Sequence, residues 1–277
     1  MNDQNDLLVK NHYREEALKN KDSSLCTMPD ELYRQKENEM IHHFILKIRS
    51  IKKIKSLKVL DLGCGNGYTV SALSSLHTDI KFWGFDFCDE LFTIAKNRKL
   101  PNVFFDLQDA RSIKFKDNFF DIVYTERALI NILDWEGQKQ ALLEIHRILK
   151  PGGFYLMLEN FSDGLVNINK ARSEFGLDLL KEAYHNKYFE KKYFYDFING
   201  KFLNIEAKIL NKNYDAYEFG NNYMSSYFFT SRFLHPLLAK AVNAEFIRDS
   251  EFVRFFSFLK PIGNYAAPQA HFLQKVS

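Results

Sequence analysis

Five acidic residues, Asp61, Asp86, Asp109, Glu126 and Glu159, and three closely spaced glycines, Gly63, Gly65 and Gly67, are the side chains whose types and spacing could do chemistry. Glycines allow positive φ angles and let a ligand approach the main chain. An acidic residue about twenty positions beyond such a turn is where a ribose diol is gripped, because a carboxylate accepts hydrogen bonds from both hydroxyls. Asp86 stands at that position, with a helix-capping aspartate as the plainer alternative. Asp109 is of a type that accepts from an exocyclic amine. The chemistry is nucleotide binding. A dinucleotide turn would read G-x-G-x-x-G, and the place of its last glycine is taken by Tyr68, which disfavours a dinucleotide oxidoreductase.

These residues need elements to hold them. Val59, Leu60 and Leu62 fit a buried parallel strand running into the glycines and a helix over roughly 66–76. KFWGFDF (81–87), NVFFDLQDA (102–110), FFDIVYTE (119–126) and FYLMLEN (154–160) read as strands two to five, and Pro151 and Gly152 are expected to stop the helix before the fifth. FLNIEAKIL (202–210), after a helix ended by Gly200, reads as the sixth strand, and HFLQKV (271–276) as the last. Alternating strands and helices imply a parallel sheet with a site at the carboxyl ends of its strands, where the five acidic residues fall. Upstream, residues 6–20 and 29–51 read as helices, the second opening at Pro29 with Asp30 and Glu31 in its first turn. Leu32, Met40, Ile41, Phe44, Ile45, Ile48 and Ile51 give it an apolar face. Lys52, Lys53, Lys55 and Lys58 read as a solvated run at its C-terminus. Between strands six and seven lies an insertion with YMSSYFFTSRFLHPLLAKA and EFVRFFSFLK, expected to be a helical cover.

The glycines together read D-x-G-x-G-x-G from Asp61, and an LKPGG turn precedes strand five. Over residues 55–160 the sequence resembles the class I S-adenosylmethionine-dependent methyltransferases. The resemblance implies an α/β, Rossmann-like, seven-stranded, mostly parallel sheet with helices on both faces. Residues 1–54 would form an N-terminal helical cap, 55–160 the cofactor-binding core, and 161–277 the remaining strands with aromatic helical cover. It implies S-adenosyl-L-methionine held by Asp61, Gly63, Gly65, Gly67, Asp86 at the ribose, Phe87 near the adenine, Asp109 and Ala110 at the ring, and Glu126 at the methionine end. Arg127 or Asn131 would orient the acceptor.

The sulfonium of that cofactor activates its methyl group, so an enzyme must align a nucleophile behind it, and an alcohol must also lose a proton to a base within hydrogen-bond reach. His185, in AYHNKYF, is the candidate base, with Glu126 and Arg127 beside the reacting end; a structural histidine is the plainer reading. Asn131, Glu159, Asn160, Asn186 and Tyr188 are the candidate acceptor contacts. TERALIN (125–131) lacks the Asn or Asp-Pro-Pro-aromatic motif of adenine and glutamine amino methyltransferases, and no Pro-Cys nucleophile follows strand four, so nucleic-acid base methylation is disfavoured. The segment from Glu126 to Gly153, followed by His185 and Asn186, looks like methyltransferases of bacterial surface-glycan biosynthesis. The expected reaction is O-methylation of a sugar or glycan precursor, or of a phosphate-type substituent of one. An N-methyltransferase of an amino sugar or other metabolite, and a catalytically silent cofactor-binding scaffold, share the same cofactor residues.

A charge balance of 38 − 35 = +3 gives no reason to expect a nucleic-acid partner. Cys26, Cys64 and Cys88 lack metal-ligand spacing and fit a reducing compartment. No stretch approaches a membrane span or a signal peptide, so a cytoplasmic protein acting on a small molecule, without a metal, is expected.

Overall fold

The computed structural model describes residues 3–53, 56–206, 222–245, 247 and 250–276. Seven strands form one sheet: β1 (Lys58–Leu62), β2 (Lys81–Asp86), β3 (Val103–Leu107), β4 (Phe120–Glu126), β5 (Leu149–Asn160), β6 (Phe202–Asn204) and β7 (Pro268–Lys275). Their order is β3-β2-β1-β4-β5-β7-β6. The first five are parallel, and β7 enters antiparallel between β5 and β6. The strand order reverses between β1 and β4, and in open α/β sheets the crevice outside that switch point is where ligands bind. The expected mostly parallel seven-stranded α/β sheet is the observed one.

Helices cover both faces because the central strands are apolar on both sides. On one face α2 (Glu31–Lys52) and α3 (Tyr68–Leu76) pack with Val59, Phe82, Tyr124 and Leu156. On the other, α5 (Trp135–Ile148) and α7 (Lys191–Ile198) bury Leu142, Ile145 and Phe194 against Leu60, Val123 and Tyr155. Two further helices are α4 (Asp89–Asn97) and α6 (Ser162–Glu174). Helix α1 (Asp3–Asn20) buries only Val9 and Ala17 among its apolar side chains and lies over α4, where Ala17 meets Cys26, Cys88 and Leu91. The described part of the insertion is helical as expected. It runs from Ser225–Phe229 through a π-helical stretch, Thr230–Leu234, into His235–Ala241, with a separate helix at Glu251–Ser257. Tyr223, Tyr227 and Val253 join the core on the α2 face.

Several boundaries differ from expectation for identifiable reasons. Helix α2 begins at Glu31 because Asp30 is its N-cap, its carboxylate accepting from Tyr33 N at 3.1 Å, which leaves Pro29 outside. Ile51 is 47% exposed while Ile48 is buried, since the helix has passed the edge of the core by its last turn. Helix α5 ends at Ile148, before Pro151. Leu149 turns extended and buries itself at the start of β5, so Pro151 and Gly152 lie in a strand, beside a register shift against Phe120 and Ile122. A proline is tolerated at such an irregularity. Strand β6 is shorter than the segment 202–210, of which 207–210 lie outside the described residues, as does Lys55.

Candidate functional site

A cleft of about 850 Å³ opens at the carboxyl ends of β1, β2 and β4. It is lined by Asp61, Gly63, Gly65, Asp86, Phe87, Asp109, Ala110, Glu126, Arg127 and Asn131. Chain direction brings them together, because each follows or ends a parallel strand.

The floor is the glycine turn. Gly63 N donates to Phe85 O at 2.7 Å, tying β1 to β2, and at φ +85° a Cβ there would lie 2.2 Å from Ala128 Cβ. Gly67 caps α3 and does not line the cleft. A Cβ there would press on Ala95 and Phe105 at 3.1 Å, so its part is close packing of the helix, a correction to its expected ligand role.

Asp86 holds the turn from the side. Its Oδ2 accepts from Gly65 N at 2.7 Å and its Oδ1 from Cys88 N at 2.9 Å, and each oxygen keeps lone-pair capacity for further donors. Burial pushes its carboxyl up, against the pull of those N–H groups. Asp61 is buried, and the one donor near its oxygens is the Tyr124 hydroxyl, which forms no well-aligned hydrogen bond to either. Burial, and then the charge of Glu126, push it well above the usual carboxylate range. An unpaired buried carboxyl facing a cleft is costly unless a donor or cation completes it. Asp109 also reaches the cleft, but Arg111 forks onto it at 2.6 and 3.0 Å and onto Asp6 of α1 at 2.7 Å. Although burial opposes it, Arg111 holds Asp109 below its usual range.

At the end of β4, Glu126 and Arg127 belong to a buried network. Arg127 Nη2 donates to Glu126 Oε1 at 2.7 Å and to Glu37 Oε2 at 2.9 Å, and its Nη1 donates to Thr27 O at 3.0 Å. Arg34 Nη1 reaches Glu126 at 3.3 Å. Burial pushes Glu37 well up despite Arg127, with the nearby Glu126 adding to the rise; burial would raise Glu126 too, but Arg34 and Arg127 hold it below its usual range. Arg127 is thus a clamp between α2 and the core, not a group free to hold an acceptor. Its left-handed φ of 55° turns it back onto α2.

Glu159 is not an acceptor contact either. It is fully buried, accepting from the main-chain N–H groups of Ala128, Leu129 and Ile130 at 3.0–3.2 Å, and burial raises it to about 7. Asn131 braces the wall, accepting from the Tyr13 hydroxyl at 3.0 Å and donating to Asn186 Oδ1 at 2.9 Å and to His185 O at 3.2 Å.

A second, larger cleft of about 1840 Å³ adjoins the first and shares Tyr13, Thr27 and Arg127 with it. His185, Asn186, Tyr188 and Asn160 all line it. His185 stacks on His12 with ring centroids 3.7 Å apart. Its Nδ1 is buried without a partner, as is Asn160 Oδ1. Burial, then the neighbouring His12, lowers His185 to about 4, so its ring is neutral near pH 7. Sequence reasoning missed Tyr13, Arg34, Glu37 and Arg111. Arg34 and Glu37 were detectable as charges falling in the gap between Leu32 and Met40 on the buried face of α2. Among the described residues no group of three could hold a metal ion, and no helix is long and apolar enough to cross a membrane.

Known proteins resemble the chain over part of its length. Residues 59–153 match a family model described as a methyltransferase domain. The chain is 33% identical over 108 residues to a demethylmenaquinone methyltransferase of Staphylococcus aureus, a match covering 38% of this chain and 44% of that one. The chain thus spans less than half the length of the curated relatives it matches. Similar solved structures include the YcgJ protein of Bacillus subtilis, 17% identical over 85% of this chain and 99% of that one, with a TM-score of 0.46. Another is CalS10, an amino pentose methyltransferase from Micromonospora echinaspora, 21% identical over 44% and 49%, with a TM-score of 0.39.

Proposed function

We propose that the chain is an S-adenosylmethionine-dependent methyltransferase of a polar small molecule, with the first cleft for the cofactor and the second for the acceptor. The observation that carries this reading is Asp61. A buried carboxyl with the Tyr124 hydroxyl as its one nearby donor, beside a glycine turn and one strand away from Asp86, fits a ligand with a cationic amino-acid end and a ribose. Asp86 would take the ribose hydroxyls on the lone pairs left free by Gly65 and Cys88. Phe87 and Ala110 flank the place for the adenine; Asp109 serves the ring amine only by sharing itself with Arg111. When bound, the cofactor supplies an activated methyl group.

The protein's part is alignment and proton removal. The clefts share Tyr13, Thr27 and Arg127 as lining, so an acceptor in the second would lie beside the first, with these side chains setting how its nucleophile is aligned. Burial raises the Tyr13 hydroxyl to about 12, so it stays protonated near pH 7, whereas His185 is neutral there and free to accept a proton, its lowered value of about 4 making it a weak base. We assign His185 as the base for an alcohol acceptor, with Asn160, Asn186 and Tyr188 around the acceptor. Polar lining of this kind favours a hydroxyl-bearing molecule such as a sugar or glycan precursor. A quinone-type acceptor is the second reading, favoured by the Staphylococcus relatives and by the aromatic walls Tyr33, Tyr188 and Phe228.

Titration calorimetry with S-adenosylmethionine and S-adenosylhomocysteine, with NADH as control, tests the reading. Saturable binding of the first two and none of NADH is expected; a folded protein that binds neither would overturn it.

A further inference from the structure

The second cleft contains a cation that nothing above uses. Arg232 lines it from the π-helical stretch Thr230–Leu234. Such a wide turn shifts the side chains that follow it and is frequent at functional sites. The guanidinium is fixed on two sides. Its Nη2 donates to Asp30 Oδ2 at 2.8 Å, and its plane lies over the Phe228 ring with 5.3 Å to the centroid. Its Nη1 is buried and has no hydrogen-bond partner. A guanidinium with an N–H buried and unsatisfied leaves a charge-assisted bond unmade, which is costly unless an acceptor arrives.

The surroundings are short of anions. Asp30, wholly buried, divides its carboxylate among Arg232, the Tyr227 hydroxyl at 2.6 Å and Tyr33 N. Arg172, itself 8% exposed, donates to the main-chain oxygen of Arg232, setting a second guanidinium against the same turn, and its Nε is taken by Asp178 O at 2.7 Å. Lys19 and Lys181 stand on the cleft as well, and Glu16 is its one acidic lining residue among those described.

We infer that the acceptor carries an oxyanion, a carboxylate or a phosphate monoester, which docks on the Arg232 guanidinium and fixes which end of the molecule faces the first cleft. This rests on the second cleft being the acceptor site. Arg232 is then a specificity-determining residue, away from the reacting atoms. A planar guanidinium with one nitrogen held by Asp30 has further N–H donors for an oxyanion and gives a neutral analogue nothing in return.

The test uses the whole chain with inorganic phosphate and acetate as separate probes, following saturable broadening of the phosphate phosphorus and acetate proton resonances. Calorimetry with S-adenosylhomocysteine is run on every variant. Saturable binding of either probe is expected, weakened about tenfold or more in Arg232→Gln and less in Arg232→Lys, with S-adenosylhomocysteine affinity unchanged. The probe that binds tells phosphate from carboxylate. Absence of saturable binding of both probes by the wild type would overturn the inference, whatever the variants do, and so would equal binding by Arg232→Gln. If S-adenosylhomocysteine fails to bind the wild type, the methyltransferase reading falls, and the probes alone decide whether Arg232 is an anion site.

Discussion

Asp86 and Asp61 show how differently two carboxyls can serve one cleft. Asp86 is satisfied by two backbone donors and has capacity left over; Asp61 has only the Tyr124 hydroxyl near it. Replacing Asp86 by Ala is expected to weaken S-adenosylmethionine binding by about 1 to 3 kcal/mol, since two ribose hydroxyls lose their acceptor. Unchanged affinity by calorimetry would remove the ribose role. For His185→Ala, kcat on the acceptor should fall at least about tenfold, and a rate within about threefold of wild type would end its assignment as base. Because its ring is neutral above about pH 4, that step should show no rise in rate between pH 6 and 8 attributable to it. Glu159 makes a pH prediction for stability. Its folded value, about 7, lies above the unfolded carboxyl value, so the native state holds the extra proton between them and stability falls as pH rises through that window. Burial makes about 3 kcal/mol the upper bound. A urea-midpoint series from pH 4.5 to 7 on wild type and Glu159→Gln should show this slope lost in the variant.

At the scale of elements, the sequence was legible wherever one period or one short motif decided the outcome. The apolar runs of β1, β2 and β4 and the helical spacing of α2 follow from burial on the central sheet, and the acidic residues after the strands fell together because parallel strands share an end. What was not legible depended on partners distant in sequence. Nothing around Arg127 reveals that Glu37, on α2, will claim it, or that Glu159 will cap the turn at Ala128, and so both were mistaken for acceptor groups. Local rules also lost to tertiary burial at Leu149, which enters the sheet although Pro151 had promised a later break. Gly63 tests the packing of these elements. Gly63→Ala combines a positive φ with a Cβ 2.2 Å from Ala128 Cβ, and should cost about 2 to 4 kcal/mol by chemical denaturation.

Over the whole molecule, the two clefts are roofed by an element attached in an unusual way. Helix α1 supplies Asp6 and Tyr13 to the first cleft and His12, Tyr13 and Glu16 to the second, yet it buries only Val9 and Ala17 among its apolar side chains and adds the part-buried Asp6–Arg111 pair and two exposed pairs, Arg14 to Glu90 and Lys10 to Asp89. Exposed ion pairs contribute little each. Amide hydrogen exchange of α1 should therefore be faster than that of α2, and S-adenosylhomocysteine should slow it selectively. Equal protection of both helices without ligand would show that α1 is held as firmly as the core.

The place of β7 bears on how the molecule comes together. Strands β1 to β5 pair in parallel, and every one of their pairings except β1 with β4 joins consecutive strands, so most of their half of the sheet can assemble from neighbours in sequence. Strand β6 has no such route. Its described sheet partner is β7, and β7 must first find β5 across the entire cover insertion, joining Asn160 to Pro268. Non-local pairing of this kind is slow, and until it is made the β5 edge stands open as a template for other chains. The order of assembly is thus written into the sheet, with the cofactor half able to form before the strand that closes its flank.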